Sequence, residues 1–81
     1  MNNCCVYVLR SSHDDKFYVG ITNNLKDRVN RHNEGRVAST QARAPFSLIH
    51  AEDFGDYQSA RRREKFLKSG SGRVYLMSLN K

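Results

Sequence analysis

A chain of 81 residues lies near the lower end of what folds alone and buries only about 60% of the surface its unfolded form exposes. That leaves no room for a second domain, a large internal pocket or a dinucleotide site with its own lobe. Fourteen Lys and Arg against eight Asp and Glu leave a formal charge of +6, which favours DNA, RNA or an anionic membrane surface without choosing among them.

Cys4 to Arg10 (CCVYVLR) is β-branched and aromatic and reads as a strand. Cys4 to Leu9 is the longest apolar run, far short of the roughly 18 residues of a membrane helix. Met1-Asn2-Asn3 offers no basic start, and Arg10 cuts off any apolar stretch, so a signal peptide is not expected. Cys4 and Cys5 are adjacent, point to opposite faces of a strand and have no third cysteine to pair with. They read as small apolar residues in a reducing cytosol.

Ser11 to Asp15 is a turn cluster, and Lys16 to Thr22 (KFYVGIT) alternates as a second strand. Asn23 or Asn24 caps a helix over Leu25 to Glu34, with Asp27 in its first turn and Gly35 just past its end. Arg36 to Ala44 is expected to be a loop, and Phe46 to Phe54 a third strand. Asp56 caps a helix running to Ser69; Gly70-Ser71-Gly72 reads as a flexible joint before a short helix over Arg73 to Leu79. The order ββαβαα implies an α+β domain in which helices cover a small sheet.

The faces of these elements point to a site. Burying Val6 and Val8 beside Phe17, Val19 and Ile21 requires even residues of the first strand opposite odd residues of the second, which a four-residue loop from Ser12 to Asp15 provides. Tyr7 and Tyr18 then share the other face. On the first helix Leu25 and Val29 form the apolar stripe, with Arg28 and His32 one turn apart on its flank, at the edge of a cleft. On the second helix the stripe is Tyr57, Ala60 and Leu67, and Glu64 falls in its middle. A carboxylate aimed at the core face is costly unless it meets cations, donors or a metal. An ion pair with an arginine such as Arg28, and a catalytic or metal-binding role, are both open at this point. Phe66, opposite that stripe, is expected under the terminal helix, and Arg61, Arg62, Arg63 and Lys65 as a solvated basic face. His13 and His50 read as structural or exposed.

Val6-Tyr7, followed eleven residues later by Tyr18-Val19-Gly20-Ile21-Thr22-Asn23-Asn24-Leu25, then Arg28 and His32-Asn33, resembles the GIY-YIG endonuclease family. Thr40, Arg43 and Pro45, Ala60 to Lys65 (ARRREK) and Lys68 to Arg73 (KSGSGR) continue the resemblance over nearly the whole chain. One departure is visible: Cys5 stands where the first motif has glycine. The resemblance implies a three-stranded, mostly antiparallel sheet flanked by helices and hydrolysis of phosphodiester bonds in DNA with one divalent metal, Mg²⁺ or Mn²⁺, in repair or recombination. It makes Glu64 the metal ligand and places Tyr7 and Tyr18 beside the scissile phosphate, one of them positioning or deprotonating water. Arg28 would stabilise the phosphoryl oxygens, and His32 would relay a proton or activate the tyrosine. Thr40, Arg43, Arg61, Lys65 and Lys68 are the candidate nucleic-acid contacts. Chemistry agrees: a guanidinium binds two phosphoryl oxygens at once, and Mg²⁺ often takes a single carboxylate. A tyrosine is a poor base at neutral pH unless cations depress its pKa, for which Arg28, His32 and the metal are candidates.

On this reading residues 1–81 form one nuclease domain, targeted through broad specificity, a protein partner or a homodimer. The alternative is a DNA- or RNA-binding module of the same fold that does not cut.

Overall fold

The computed structural model describes residues 4–35, 37 and 45–79. They form β1 (Cys4–Ser11), β2 (Phe17–Thr22), α1 (Leu25–Asn33), β3 (Phe46–Phe54), α2 (Tyr57–Lys68) and α3 (Gly70–Leu79). The sheet order is β2-β1-β3, with β1 antiparallel to both neighbours. The strand richest in Val, Tyr and Leu therefore takes the centre, where both its faces are covered. Val6, Val8 and Leu9 have no exposed surface.

The hairpin register is the one the apolar pattern requires. Val6 pairs with Ile21, Tyr7 with Gly20, Val8 with Val19 and Leu9 with Tyr18. Its four-residue loop closes through Ser11 N–H to Lys16 C=O at 2.9 Å, with Asp15 in the left-handed region at φ 61°. Even residues of β1 join Val19, Ala60, Leu67 and Leu76 in the larger core under α2 and α3. Odd residues Tyr7 and Leu9 join Phe46, and Leu25 and Val29 of α1 pack on them. Each such side chain contributes roughly 1.5–3 kcal/mol of burial free energy.

A bulge in β3 was not legible in the strand's sequence. Val8 pairs with His50 but Leu9 pairs with Leu48, so Ile49 is an extra residue. The slip sends His50, Glu52 and Phe54 to the α2 side and Phe46 to the α1 side, so β3 contributes to both cores.

Three expectations need correction. Gly70 to Gly72 are the first turn of α3, not a flexible joint. The Ser69 Oγ accepts from Gly72 N–H at 3.2 Å, and a Cβ on Gly72 would fall 2.0 Å from the Phe66 carbonyl oxygen. Gly72 allows α3 to fold back closely on α2, whereas a Cβ on Gly70 would meet nothing within 4 Å. Tyr57, in the first turn of α2, is 59% exposed rather than part of the buried stripe. Phe66 is not fully buried under α3; it is 39% exposed, with the Arg63 guanidinium 5.0 Å from its ring centroid. Cys4 and Cys5 are free thiols, and burial, then Asp53, push the Cys5 thiol up, which keeps it unreactive.

Candidate active site

The β2-α1 connection places the first part of the site. Thr22 Oγ1 accepts from Asn24 N–H at 3.1 Å, and Asn24 Oδ1 caps α1 by accepting from Asp27 N–H at 3.2 Å. This short turn lays α1 across the odd face of β1, with Arg28 and His32 toward Tyr7. At the far end of α1, Asn33 Oδ1 accepts from Phe46 N–H at 2.6 Å and anchors the start of β3.

Tyr7 lies across its pairing partner Gly20. A Cβ there would come within 2.5 Å of the Tyr7 hydroxyl oxygen, so only glycine admits the ring. The Tyr7 hydroxyl is 3.1 Å from His32 Nε2 and accepts from Arg28 Nε at 3.3 Å. Tyr7 and Tyr18 stand 6.4 Å apart between ring centroids.

His32 corrects an expectation. It is fully buried rather than at a cleft edge, boxed by the rings of Tyr18 at 4.8 Å, Tyr7 at 5.9 Å and Phe46 at 5.8 Å. The bulge that turns Phe46 inward closes this box. Burial, then the Arg28 charge, hold the His32 imidazole below its usual range, so it is neutral at pH 7. Tyr7 also departs from expectation. Burial pushes its hydroxyl above the usual range and outweighs the hydrogen bond from Arg28, so Arg28 does not by itself make it a ready base.

Glu64 enters from α2 and is 8% exposed. Its partners are not Arg28. Arg61 Nη1 reaches Oε1 at 2.5 Å and Lys68 Nζ reaches Oε2 at 3.1 Å, each one helical turn away. Burial alone would raise its pKa, but the hydrogen bonds from Arg61 and Lys68 prevail and keep the carboxylate ionised.

These groups meet along the edge strand β2, where side chains from both faces of the sheet reach one cleft of about 550 Å³. Tyr7, Tyr18, Arg28 and Glu64 line it, with Arg61, Lys68 and Tyr57 at its mouth. His32 does not line it; it stands behind Tyr7. Sequence reasoning did not single out Gly20 or Phe46 for the site, although a glycine inside an alternating strand is a sign of close approach. Lys65 is exposed and lines none of the pockets described. Arg63 is not part of a solvated basic face: it forks onto Glu52 at 2.9 and 3.0 Å. Thr40 and Arg43 lie outside the described residues.

No cluster of three or more His, Cys, Asp or Glu side chains suited to a metal occurs among the described residues. The donor set still fits a hard divalent cation. One ionised carboxylate in an open cleft is enough for an ion that keeps most of its water and takes further oxygens from a phosphate. Arg61 and Lys68, 45% and 52% exposed at the side chain, can swing aside.

A family model of the GIY-YIG catalytic domain matches residues 3–80. The chain belongs to the GIY-YIG family. It is 44% identical over 64 residues to a UPF0213 protein of Bacillus velezensis, spanning 78% of this chain and 64% of that protein. It is 40% identical over 68 residues to the UPF0213 protein YazA of Bacillus subtilis, spanning 83% and 68%. The chain thus spans about two thirds of the length of these relatives. The solution structure of a UPF0213 protein from Bacillus halodurans superposes with a TM-score of 0.58 at 32% identity, covering 95% of this chain and 84% of that one. The α+β fold read from the sequence is therefore the family's, with three antiparallel strands and three helices in ββαβαα order. Among the described residues no helix is long and apolar enough to cross a membrane.

Proposed function

We propose that this GIY-YIG domain is a metal-dependent endonuclease that hydrolyses phosphodiester bonds in DNA. The observation that carries the proposal is the convergence of Tyr7, Tyr18, Arg28 and Glu64 on one cleft at the β2 edge, with His32 behind Tyr7. A binding surface has no use for a nearly buried carboxylate opposite two tyrosines. Glu64 would hold Mg²⁺ or Mn²⁺, which when bound supplies charge to the phosphoryl oxygens.

The chain's own groups then have distinct tasks. Arg28 faces the phosphate and stabilises the negative charge that gathers in the transition state. Tyr18, on the same face of the sheet as Tyr7, orients the phosphodiester. Tyr7 keeps its proton in the resting protein. A water proton can pass to the Tyr7 oxygen as the Tyr7 proton passes to Nε2 of neutral His32, only 3.1 Å away. His32 is thus a positioning and relay group with no contact to substrate. Arg61, Lys65 and Lys68 meet the flanking backbone without reading sequence, and Thr40 and Arg43 are proposed to add contacts from the loop. A role in repair or recombination, with targeting through a protein partner or homodimer, follows on this reading.

The ion pairs of Glu64 favour a second reading, a module that binds DNA or RNA without cutting. One assay separates the two. The protein is incubated with branched, nicked and single-stranded DNA, with Mg²⁺, Mn²⁺ or chelator, beside Glu64→Ala. Metal-dependent cutting that disappears in the variant is expected. Binding of equal strength in both proteins, with no cutting in either, would replace the nuclease by the module.

A further inference from the structure

A second pocket of about 420 Å³ adjoins the cleft and shares Tyr18, Val19 and Lys68 with it. Its floor is apolar, formed by Phe17 at the start of β2 and Leu67 of α2. Its rim is cationic, formed by Lys16, Lys68 and Arg73. No carboxylate lines it, and neither Lys16 nor Arg73 has an ion-pair partner among the described residues. The three cations come from three places: the hairpin loop, the end of α2 and the first turn of α3. The fold brings like charges together around an open hollow. Such an arrangement is disfavoured on its own and relieved by an anion.

We propose that this pocket is a nucleotide subsite, holding the nucleotide of the substrate strand that flanks the scissile phosphate. The proposal rests on the nuclease reading above and extends it beyond the catalytic groups. The flanking phosphate lies between Arg73 and Lys16, and its sugar and base cover Phe17 and Leu67. An amphipathic hollow of this kind matches a nucleotide, which carries charge on one side and an apolar ring on the other. Lys68 stands on the wall between the two pockets. Leaving Glu64, it moves onto the strand's backbone, so substrate entry and release of the carboxylate are one event.

The test measures binding and needs no cleavage. The full chain is titrated with a labelled single-stranded oligonucleotide in chelator, over a range of salt, beside Arg73→Ala, Lys16→Ala and the exposed-helix control Lys26→Ala. Each pocket variant is expected to raise Kd about five- to tenfold and to lower the log–log salt slope by about 0.7, the value of one lost phosphate contact on single strands. Lys26→Ala is expected to change neither. Arg73→Lys and Lys16→Arg keep the charge and are expected to keep the slope, which separates lost contact from lost folding. Parental Kd and slope in both alanine variants, or an equal loss in Lys26→Ala, overturn the subsite. Amide shifts at Phe17 and Arg73 in two-dimensional NMR are expected with the oligonucleotide. Shifts with inorganic phosphate alone and none with the oligonucleotide overturn it as well. Absence of cutting by the parental protein with any metal would remove the nuclease reading alone.

Discussion

Two clusters in this small domain are built from nearly the same residue types, and only the first brings its carboxylate into an open cleft. At the β2 edge stand Glu64, His32, Arg28 and the rings of Tyr7 and Tyr18. On the α2 side of β3 stand Glu52, His50, Arg63 and the rings of Phe66 and Tyr75. In the second cluster every partner is committed. Arg63 forks onto Glu52, His50 Nε2 meets the same carboxylate at 2.5 Å, and the guanidinium lies 5.0 and 5.3 Å from the Phe66 and Tyr75 centroids. That cluster ties β3 to α2 and α3, and the hollow of about 440 Å³ beside Arg63 and Phe66 is lined by no carboxylate. In the first, Glu64 is held only by long, half-exposed side chains, and Arg28 and the tyrosines border an open cleft. Residue type supplies the chemistry; unfilled space and releasable partners make it available.

The strongest way to break this comparison is to swap the same change between the clusters. Glu64→Gln is expected to lower metal-dependent cleavage on the order of a thousandfold, since several kcal/mol of transition-state stabilisation go with the ion, while the fold persists. Glu52→Gln is expected to keep kcat within about threefold but to cost about 2 kcal/mol in stability, because a charge-assisted network is broken. Urea denaturation and a cleavage time course read both; loss of activity in Glu52→Gln with no loss of stability would reverse the assignment.

Gly20→Ala tests the close approach on the cleft side. The added methyl collides with the Tyr7 ring, so cleavage is expected to fall on the order of a hundredfold, the size of a misplacement effect, with a smaller loss of stability. Arg63→Lys tests the other cluster. It loses the fork and the ring contacts and is expected to cost about 1–2 kcal/mol, with cleavage unchanged.

Acidity should separate His32 from the two carboxylates by pH window. The folded His32 pKa is depressed, so the unfolded chain binds the extra proton below about pH 6.5. The stability it contributes is present above that pH and declines as pH falls toward the folded value. Glu52 is depressed as well: burial opposes the shift, but Arg63 and then His50 prevail. Its contribution is present above the ordinary carboxylate range near 4.5 and is lost as pH falls through the lower folded value; Glu64 adds to this window. Thermal midpoints should therefore fall in two stages, the first missing in His32→Gln and the second reduced in Glu52→Gln. Smallest of all, Lys65→Ala is expected to change stability by no more than about 0.5 kcal/mol and to weaken DNA binding slightly in a fluorescence titration.

Much of this architecture was written locally. The alternation of Val6, Val8, Val19 and Ile21 decided the hairpin register, because a slip of one residue would expose every apolar side chain. Asn24 and Asp56 marked their helix starts, because an unpaired amide needs an acceptor within three residues. Glu64 announced itself by breaking an apolar stripe. What misled the local reading had distant causes. Gly70 to Gly72 look like a joint until α3 is seen folding back on the end of α2, and Tyr57 follows the helical period but stands 59% exposed on the open cleft that β2 borders.

From sequence alone came the fold class, the family resemblance and the identity of Tyr7, Tyr18, Arg28, His32 and Glu64 as candidates. These depend on short-range periodicity and spacing. Tertiary structure alone decided that His32 is boxed behind Tyr7, that Glu64 pairs with Arg61 and Lys68, and that Arg63 belongs to a different cluster. The physical reason is the β3 bulge at Ile49 and the edge position of β2. One extra residue sends Phe46 to the α1 face to close the box. An edge strand lets side chains from both faces of the sheet share a single cleft.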